Sequence, residues 1–261
     1  MNYNQTLAWL FKRLPMYQRV GTPAMRLGLD QMNRLSAALG NPHRSLKCIH
    51  IAGTNGKGST AHMLASVLQT AGYTVGLYTS PHLKDFRERI KINGQPIDKE
   101  NVVDFVNQHI EKFEAGNYSF FEATVGMAFS SFAQAQVDVA IIEVGLGGRL
   151  DATNIITPIL SVITHISKDH QQFLGHTIEA IAGEKAGIIK QKVPVVLGQN
   201  EKTVKKVILE KAKSTSSTVF FANQTESYTT DLLGDYQKEN LATAYMAIQA
   251  LKEFDVNENH I

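Results

Sequence analysis

The sequence predicts an α/β fold in which a mostly parallel sheet carries helices on both faces. Short β-rich runs alternate with helical patterns along the chain. Residues 137–144 (VDVAIIEV) form a near-continuous, branched apolar stretch, the pattern of a strand buried on both sides. The 261 residues are 43% hydrophobic, enough for one large core, or one core plus a small appendage.

The first predicted strand, 47–52 (KCIHIA), runs through a glycine-rich loop into a helix over 59–71. A second strand is expected at 74–79 (TVGLYT), followed by helices over 101–115 and 122–136 and the apolar strand 137–144. Then come a strand at 159–164, a helix over 178–190, a strand at 193–197, a helix over 204–213, a strand at 218–222 and a closing helix over 236–254. There is no internal repeat and no low-complexity tract. In a parallel sheet ligands lie beyond the carboxyl ends of the strands. The loops after Ala52, Thr79, Val144 and Thr164 are therefore expected to meet at one site.

Charged residues make up 19% of the chain and the formal net charge is +2, which gives no reason to expect nucleic acid. The single Cys48 excludes an intramolecular disulfide and suits a reducing compartment. No apolar run reaches the ~18 residues of a membrane span. The start of the chain lacks the layout of a signal peptide. A cytoplasmic monomer that acts on small molecules, without membrane or nucleic-acid partners, is the expectation.

The loop after the first strand reads Gly53-Thr54-Asn55-Gly56-Lys57-Gly58-Ser59-Thr60 and opens a helix. Glycines let a backbone turn with its N–H groups facing inward, and a helix N-terminus adds partial positive charge. Lys57 is placed to reach β/γ-phosphates, and a Ser59 or Thr60 hydroxyl to meet Mg²⁺. The common phosphate-loop pattern would need glycine at Ile51 and a hydroxyl at Gly58, so a generic P-loop kinase fits poorly. Gly145-Leu146-Gly147-Gly148 looks like a dinucleotide fingerprint but has Leu150 where its last glycine belongs.

Other strings follow in order: Thr79-Ser80-Pro81-His82-Leu83, then Phe86-Arg87-Glu88-Arg89-Ile90, then Glu143 to Asn154 (EVGLGGRLDATN). Asp169-His170, Glu184-Lys185-Ala186-Gly187 and Gly234-Asp235-Tyr236-Gln237, with Asn240 after it, complete the set. Together with the loop GTNGKGS they resemble the dihydrofolate synthase/folylpolyglutamate synthase family of the Mur ligase superfamily, from about Leu27 to Ala244. The resemblance implies a P-loop NTPase-like Mur ligase central domain. It implies an ADP-forming ligase that joins glutamate to dihydropteroate or folate through an acyl phosphate, with ATP and two Mg²⁺ sites.

By the same resemblance, Thr54, Asn55, Gly56, Lys57, Gly58, Ser59, Thr60 and Asn240 hold the nucleotide, and Ser80 and Glu143 the first metal. A carboxylate ending a buried strand is costly without a partner, and a metal relieves that cost; a structural salt bridge is the alternative. His170 matches a ligand of the second metal, although a lone histidine is often structural. His165, Asp169, His170 and His176 form only a loose cluster, without the spacing of a zinc site. Lys57, Lys185 and His170 are the catalytic candidates, and the family lysine matching Lys185 can be carbamylated; an ion pair with Glu184 is the plain alternative. Arg26, Leu27, Phe121, Glu122, Leu150, Asp151 and Ala152 match substrate positions. Phe121 could stack on a flat heterocycle or belong to the core beside Phe120.

The family pattern adds a second, glutamate-binding α/β domain with an A-H-N-P string and a downstream arginine, and neither occurs before Ile261. The expectation is thus one ATP-binding ligase domain over residues 1–261 without that C-terminal domain. A truncated ATP-binding module or half-enzyme is the alternative. Lys168 stands where an apolar residue is usual, and the stretch between Gly198 and Gly234 is short for the family. The RLDATN and SPHL strings argue against a ligase of cell-wall precursors.

Overall fold

A computed structural model describes residues 1–15, 28–223 and 228–261. Two helices, α1 (Tyr3–Arg13) and α2 (Asp30–Ala38), precede the first strand β1 (Cys48–Ala52). Then come α3 (Lys57–Thr70), β2 (Val75–Tyr78), β3 (Ile90–Ile92), β4 (Gln95–Pro96), α4 (Lys99–Gly116), α5 (Phe120–Gln134) and β5 (Val139–Glu143). The chain continues through β6 (Leu160–Ile163), α6 (Gln171–Leu174), α7 (Ile178–Ala186), β7 (Val195–Leu197), α8 (Lys202–Ser214), β8 (Val219–Phe221) and α9 (Tyr236–Ala250).

One eight-stranded sheet runs in the order β4-β3-β2-β5-β1-β6-β7-β8. The six strands from β2 to β8 are parallel, as predicted. The β3–β4 hairpin adds an antiparallel edge that was not predicted. Its signal was present: Asn93-Gly94 both take positive φ, the requirement of a tight two-residue hairpin turn. The predicted helices over 178–190 and 236–254 end earlier, at Ala186 and Ala250. Beyond Ala186 the carbonyl of Glu184 is taken by the amide of Arg149 as well as by that of Gly187, so the chain turns away to meet the neighbouring loop.

Side chains alternate across each strand and divide the core. Ile49, Ile51, Ile141 and Val162 pack under α3 and α9 on one face. The other face carries two clusters. One joins Cys48, Ala140 and Ile142 to α1, α2, α4 and α5, and the other joins Ala52, Val144 and Ile163 to α7 and α8. Since strands of a parallel sheet point one way, the loops leaving β1, β2, β5 and β6 emerge along a single edge. Among the described residues no helix is long and apolar enough to cross a membrane.

Candidate functional site

The loop after β1 is built for close approach. A side chain at Gly53 would collide with the Thr164 hydroxyl, and Gly56 takes φ 85° to start α3 with its Cα against Asn240. The amides of Thr54 and Asn55 do not face open space. Both donate to the His165 carbonyl, at 2.8 and 3.2 Å. The Thr54 hydroxyl receives the Ser167 amide at 3.1 Å. The loop is thereby pinned to the chain leaving β6.

The amides of Lys57, Gly58 and Ser59 take no partner among the described residues. They are the open donors of the α3 N-terminus, where the helix dipole favours an anion. Thr60 departs from expectation: it is fully buried, its hydroxyl has no partner, and its amide binds the Gly56 carbonyl. One residue further along the helix, its side chain has rotated into the core, so Ser59 carries the reachable hydroxyl of the pair. Asn240 is buried and gives its amide to Gln237 at 2.8 Å, supporting the loop from behind Gly56.

Glu143, at the end of β5, is 5% exposed. One of its oxygens accepts the Ser80 amide at 3.0 Å. A β-carbon built on Gly58 would lie 3.8 Å from both carboxylate oxygens, so the phosphate loop and Glu143 face each other directly. Burial pushes the Glu143 carboxyl up to about 7, against the opposing pull of Lys57 and the Ser80 amide. The Lys57 ammonium rests on the Thr54 carbonyl at 3.1 Å. Lys57, Ser80 and Glu143 are thus brought together.

A cleft lined by Gly53, Thr54, Lys57, Val144, Gly145, Leu146, Gly147, Asp169, His170 and Lys185 opens beside them. Lys185, buried on α7, donates to the Gly53 carbonyl at 2.8 Å. Burial, reinforced by the nearby Lys57 charge, lowers its ammonium to about 8. It has no carboxylate partner among the described residues; Glu184 pairs instead with Arg149 at 2.8 Å. His170 is exposed at the cleft rim, with its ring 3.5 Å from Asp169. Among the described residues no three His, Cys, Asp or Glu side chains gather as a metal-holding group. The His165–His176 stretch therefore does not assemble such a site.

Of the substrate candidates, Arg26 and Leu27 lie outside the described residues. Phe121 is half-buried, packed against the hydrophobic cluster that holds Phe120, with its ring edge against Gly145, which lines the cleft. Glu122 is occupied locally, its carboxylate accepting the Ser119 amide and hydroxyl at 2.7 and 2.8 Å in the capping box of α5. Asp151 is likewise committed, to the amides of Gly145 and Leu146 at 3.0 and 2.9 Å and to Thr153. Leu150 and Ala152 flank it, half-buried.

Sequence reading gave no role to Arg89. It is 3% exposed, donates to His82 Nδ1 at 2.7 Å, lies 5.4 Å over the Phe120 ring and has no carboxylate partner among the described residues. Its charge opposes the burial of Glu143. The available signal was a second arginine opening a strand beside the Ser80 loop.

The Mur ligase middle domain model matches residues 51–241. Dihydrofolate synthase/folylpolyglutamate synthase of Bacillus subtilis is 37% identical over 285 residues, covering 97% of this chain and 65% of its own. Folylpolyglutamate synthase of Lacticaseibacillus casei is 44% identical over 224 residues, covering 83% of this chain and 51% of its own. An FPGS–AMPPCP–folate complex superposes with a TM-score of 0.89 at 36% identity, over 100% of this chain and 70% of that one. The chain spans about half to two thirds of the length of these curated relatives. A sheet with this strand order, the GTNGKGS loop facing Glu143 and these matches lead to one conclusion: the chain belongs to the dihydrofolate synthase/folylpolyglutamate synthase family of the Mur ligase superfamily.

Proposed function

We propose that this chain is the ATP-binding domain of an ADP-forming ligase that joins glutamate to a pterin-bearing carboxylate, dihydropteroate or folate. The observation that carries the reading is the approach of the α3 N-terminus and Lys57 to the buried Glu143. The solved relative in complex with AMPPCP, an ATP analogue, and folate supports the ligand classes.

In this reading the amides of Lys57, Gly58 and Ser59 and the Lys57 ammonium hold the β/γ-phosphates. Asn240 fixes the loop through Gly56. Magnesium fits the donor set. Glu143 is a hard-oxygen ligand whose single amide partner leaves its burial poorly compensated, and Mg²⁺ is held by one or two carboxylates plus phosphate oxygens. Glu143 and Ser80 would hold one ion. His170 at the cleft rim would serve a second, near Lys185 in the same lining. Bound Mg²⁺ would neutralise charge on the transferring phosphoryl group.

The substrate carboxylate attacks the γ-phosphorus, and ADP leaves with the electron pair of the broken P–O bond. The glutamate amine then attacks the acyl carbon, inorganic phosphate leaves, and the amine proton passes to solvent or a nearby base. No protein nucleophile takes part. Buried Cys48, its thiol pushed up to about 12 by burial, is structural. Lys57 and Lys185 line the cleft with positive charge where the phosphoryl group crosses. Phe121, Leu150 and Ala152 are the substrate residues of this reading, with Arg26 and Leu27 assigned by the family resemblance alone.

The test is incubation of the pure chain with ATP, Mg²⁺, glutamate and either dihydropteroate or folate, following ADP and ligated product. Formation of both supports the ligase. ADP without ligated product marks a half-enzyme, and nucleotide binding with neither marks a binding module. Failure to bind nucleotide removes the proposal.

A further inference from the structure

His50 occupies the middle of β1 and is completely buried. An imidazole is a costly occupant of a central parallel strand, where an apolar residue would do. Its side lies with Cys48 and Ala52, at the seam between the two hydrophobic clusters of that face. Its Nε2 is 2.8 Å from the Thr153 hydroxyl, and its Nδ1 is buried with no partner. The Thr153 hydroxyl in turn meets Asp151 Oδ1, which also accepts the Thr153 amide at 2.9 Å. The other Asp151 oxygen accepts the amides of Gly145 and Leu146.

The partners of Asp151 set the direction of the protons in this relay. Three of Asp151's partners are backbone N–H donors, which an ionised carboxylate accepts. The Thr153 hydroxyl must therefore give its proton to Asp151, and it can then only accept from His50. The imidazole is held as the neutral form protonated on Nε2; burial keeps it from gaining a second proton. In that tautomer the unpartnered Nδ1 is an acceptor lone pair and not an N–H. The bonded amides belong to a segment that lines the cleft together with Lys57 and Lys185.

We infer that His50 is a positioning residue: acting through Thr153 and Asp151, it fixes the Gly145–Leu146 wall of the cleft from inside the sheet. The functional side of this inference rests on the proposed nucleotide site; the structural side does not.

Amide hydrogen exchange of Gly145 and Leu146, read residue by residue, tests it in the full chain. His50→Leu removes the donor and the orphaned nitrogen together, and Thr153→Val removes the hydroxyl at constant shape. Each is expected to raise exchange at these two amides about tenfold. The double variant should exceed neither single, because one chain is cut once or twice with the same effect. Thr153→Ser, which keeps the hydroxyl, should retain wild-type exchange. AMPPCP affinity should weaken at least threefold in the two cutting variants.

Unchanged exchange in His50→Leu, or additive effects in the double variant, would overturn the inference. If His50→Leu does not fold, the Thr153 pair reports on the hydroxyl and the imidazole ¹⁵N spectrum of the wild type reports on His50; protonation on Nδ1 would refute the relay. If the wild type binds no nucleotide, the proposed function fails while the exchange result still decides the structural claim.

Discussion

Two buried carboxylates at the two ends of the loop that leaves β5 face opposite conditions. Asp151 has its oxygens filled by the amides of Gly145, Leu146 and Thr153 and by a hydroxyl, all from its own neighbourhood. Glu143 has one amide, from Ser80. Both are pushed up by burial, but only Glu143 faces the helix N-terminus of the phosphate loop. A saturated buried charge holds a loop in shape, whereas an unsaturated one is poised for a ligand that arrives later.

The comparison breaks first if removing each carboxylate has the same sign. Asp151→Ala strands one buried and two half-buried N–H groups and a hydroxyl, and should cost about 4 kcal/mol in urea unfolding. Glu143→Gln removes a charge that the unliganded fold tolerates poorly. The Glu143 carboxyl is near 7 when folded against an ordinary 4.5, so the native state holds the proton more tightly between these values. The associated stability is complete below pH 4.5 and disappears as pH rises through 7, by about 3 kcal/mol. Relative to Glu143→Gln, the wild type should lose that amount across this window. Parallel pH profiles would contradict the contrast.

On the ligand side, Lys57→Ala should weaken nucleotide affinity at least about 100-fold, by calorimetry, with little change in unfolding midpoint. Unchanged affinity would remove Lys57 from the proposed site. The smallest effect belongs to the rim: Glu184→Gln breaks an ion pair whose arginine side chain is 56% exposed, and should move stability by less than about 1 kcal/mol. A larger loss would mean that Arg149 braces the cleft wall.

Much of this contrast was legible in the sequence, and the rest was hidden for identifiable reasons. The parallel strands announced themselves by branched apolar runs, and the phosphate loop by glycines, a lysine and a helix in order. A carboxylate ending a buried strand marked Glu143. Helices α1 and α2 carried no motif and were not predicted. The antiparallel hairpin was missed although Asn93-Gly94 signalled it. Asp151 and Glu122 were read as substrate residues because sequence gives a carboxylate's place but not which donors have already claimed it. Thr60 was grouped with Ser59 because one residue on a helix, a rotation of about 100°, separates cleft from core. His50, a polar residue inside an apolar strand, was the clearest unread sign.

The most direct test of the central claim is AMPPCP binding by calorimetry with and without Mg²⁺, in the wild type and in Glu143→Gln. If Lys57 and Glu143 share one nucleotide–metal complex, Mg²⁺ should tighten binding at least tenfold in the wild type and leave Glu143→Gln nearly unchanged. An equal effect of Mg²⁺ in both proteins would contradict the account.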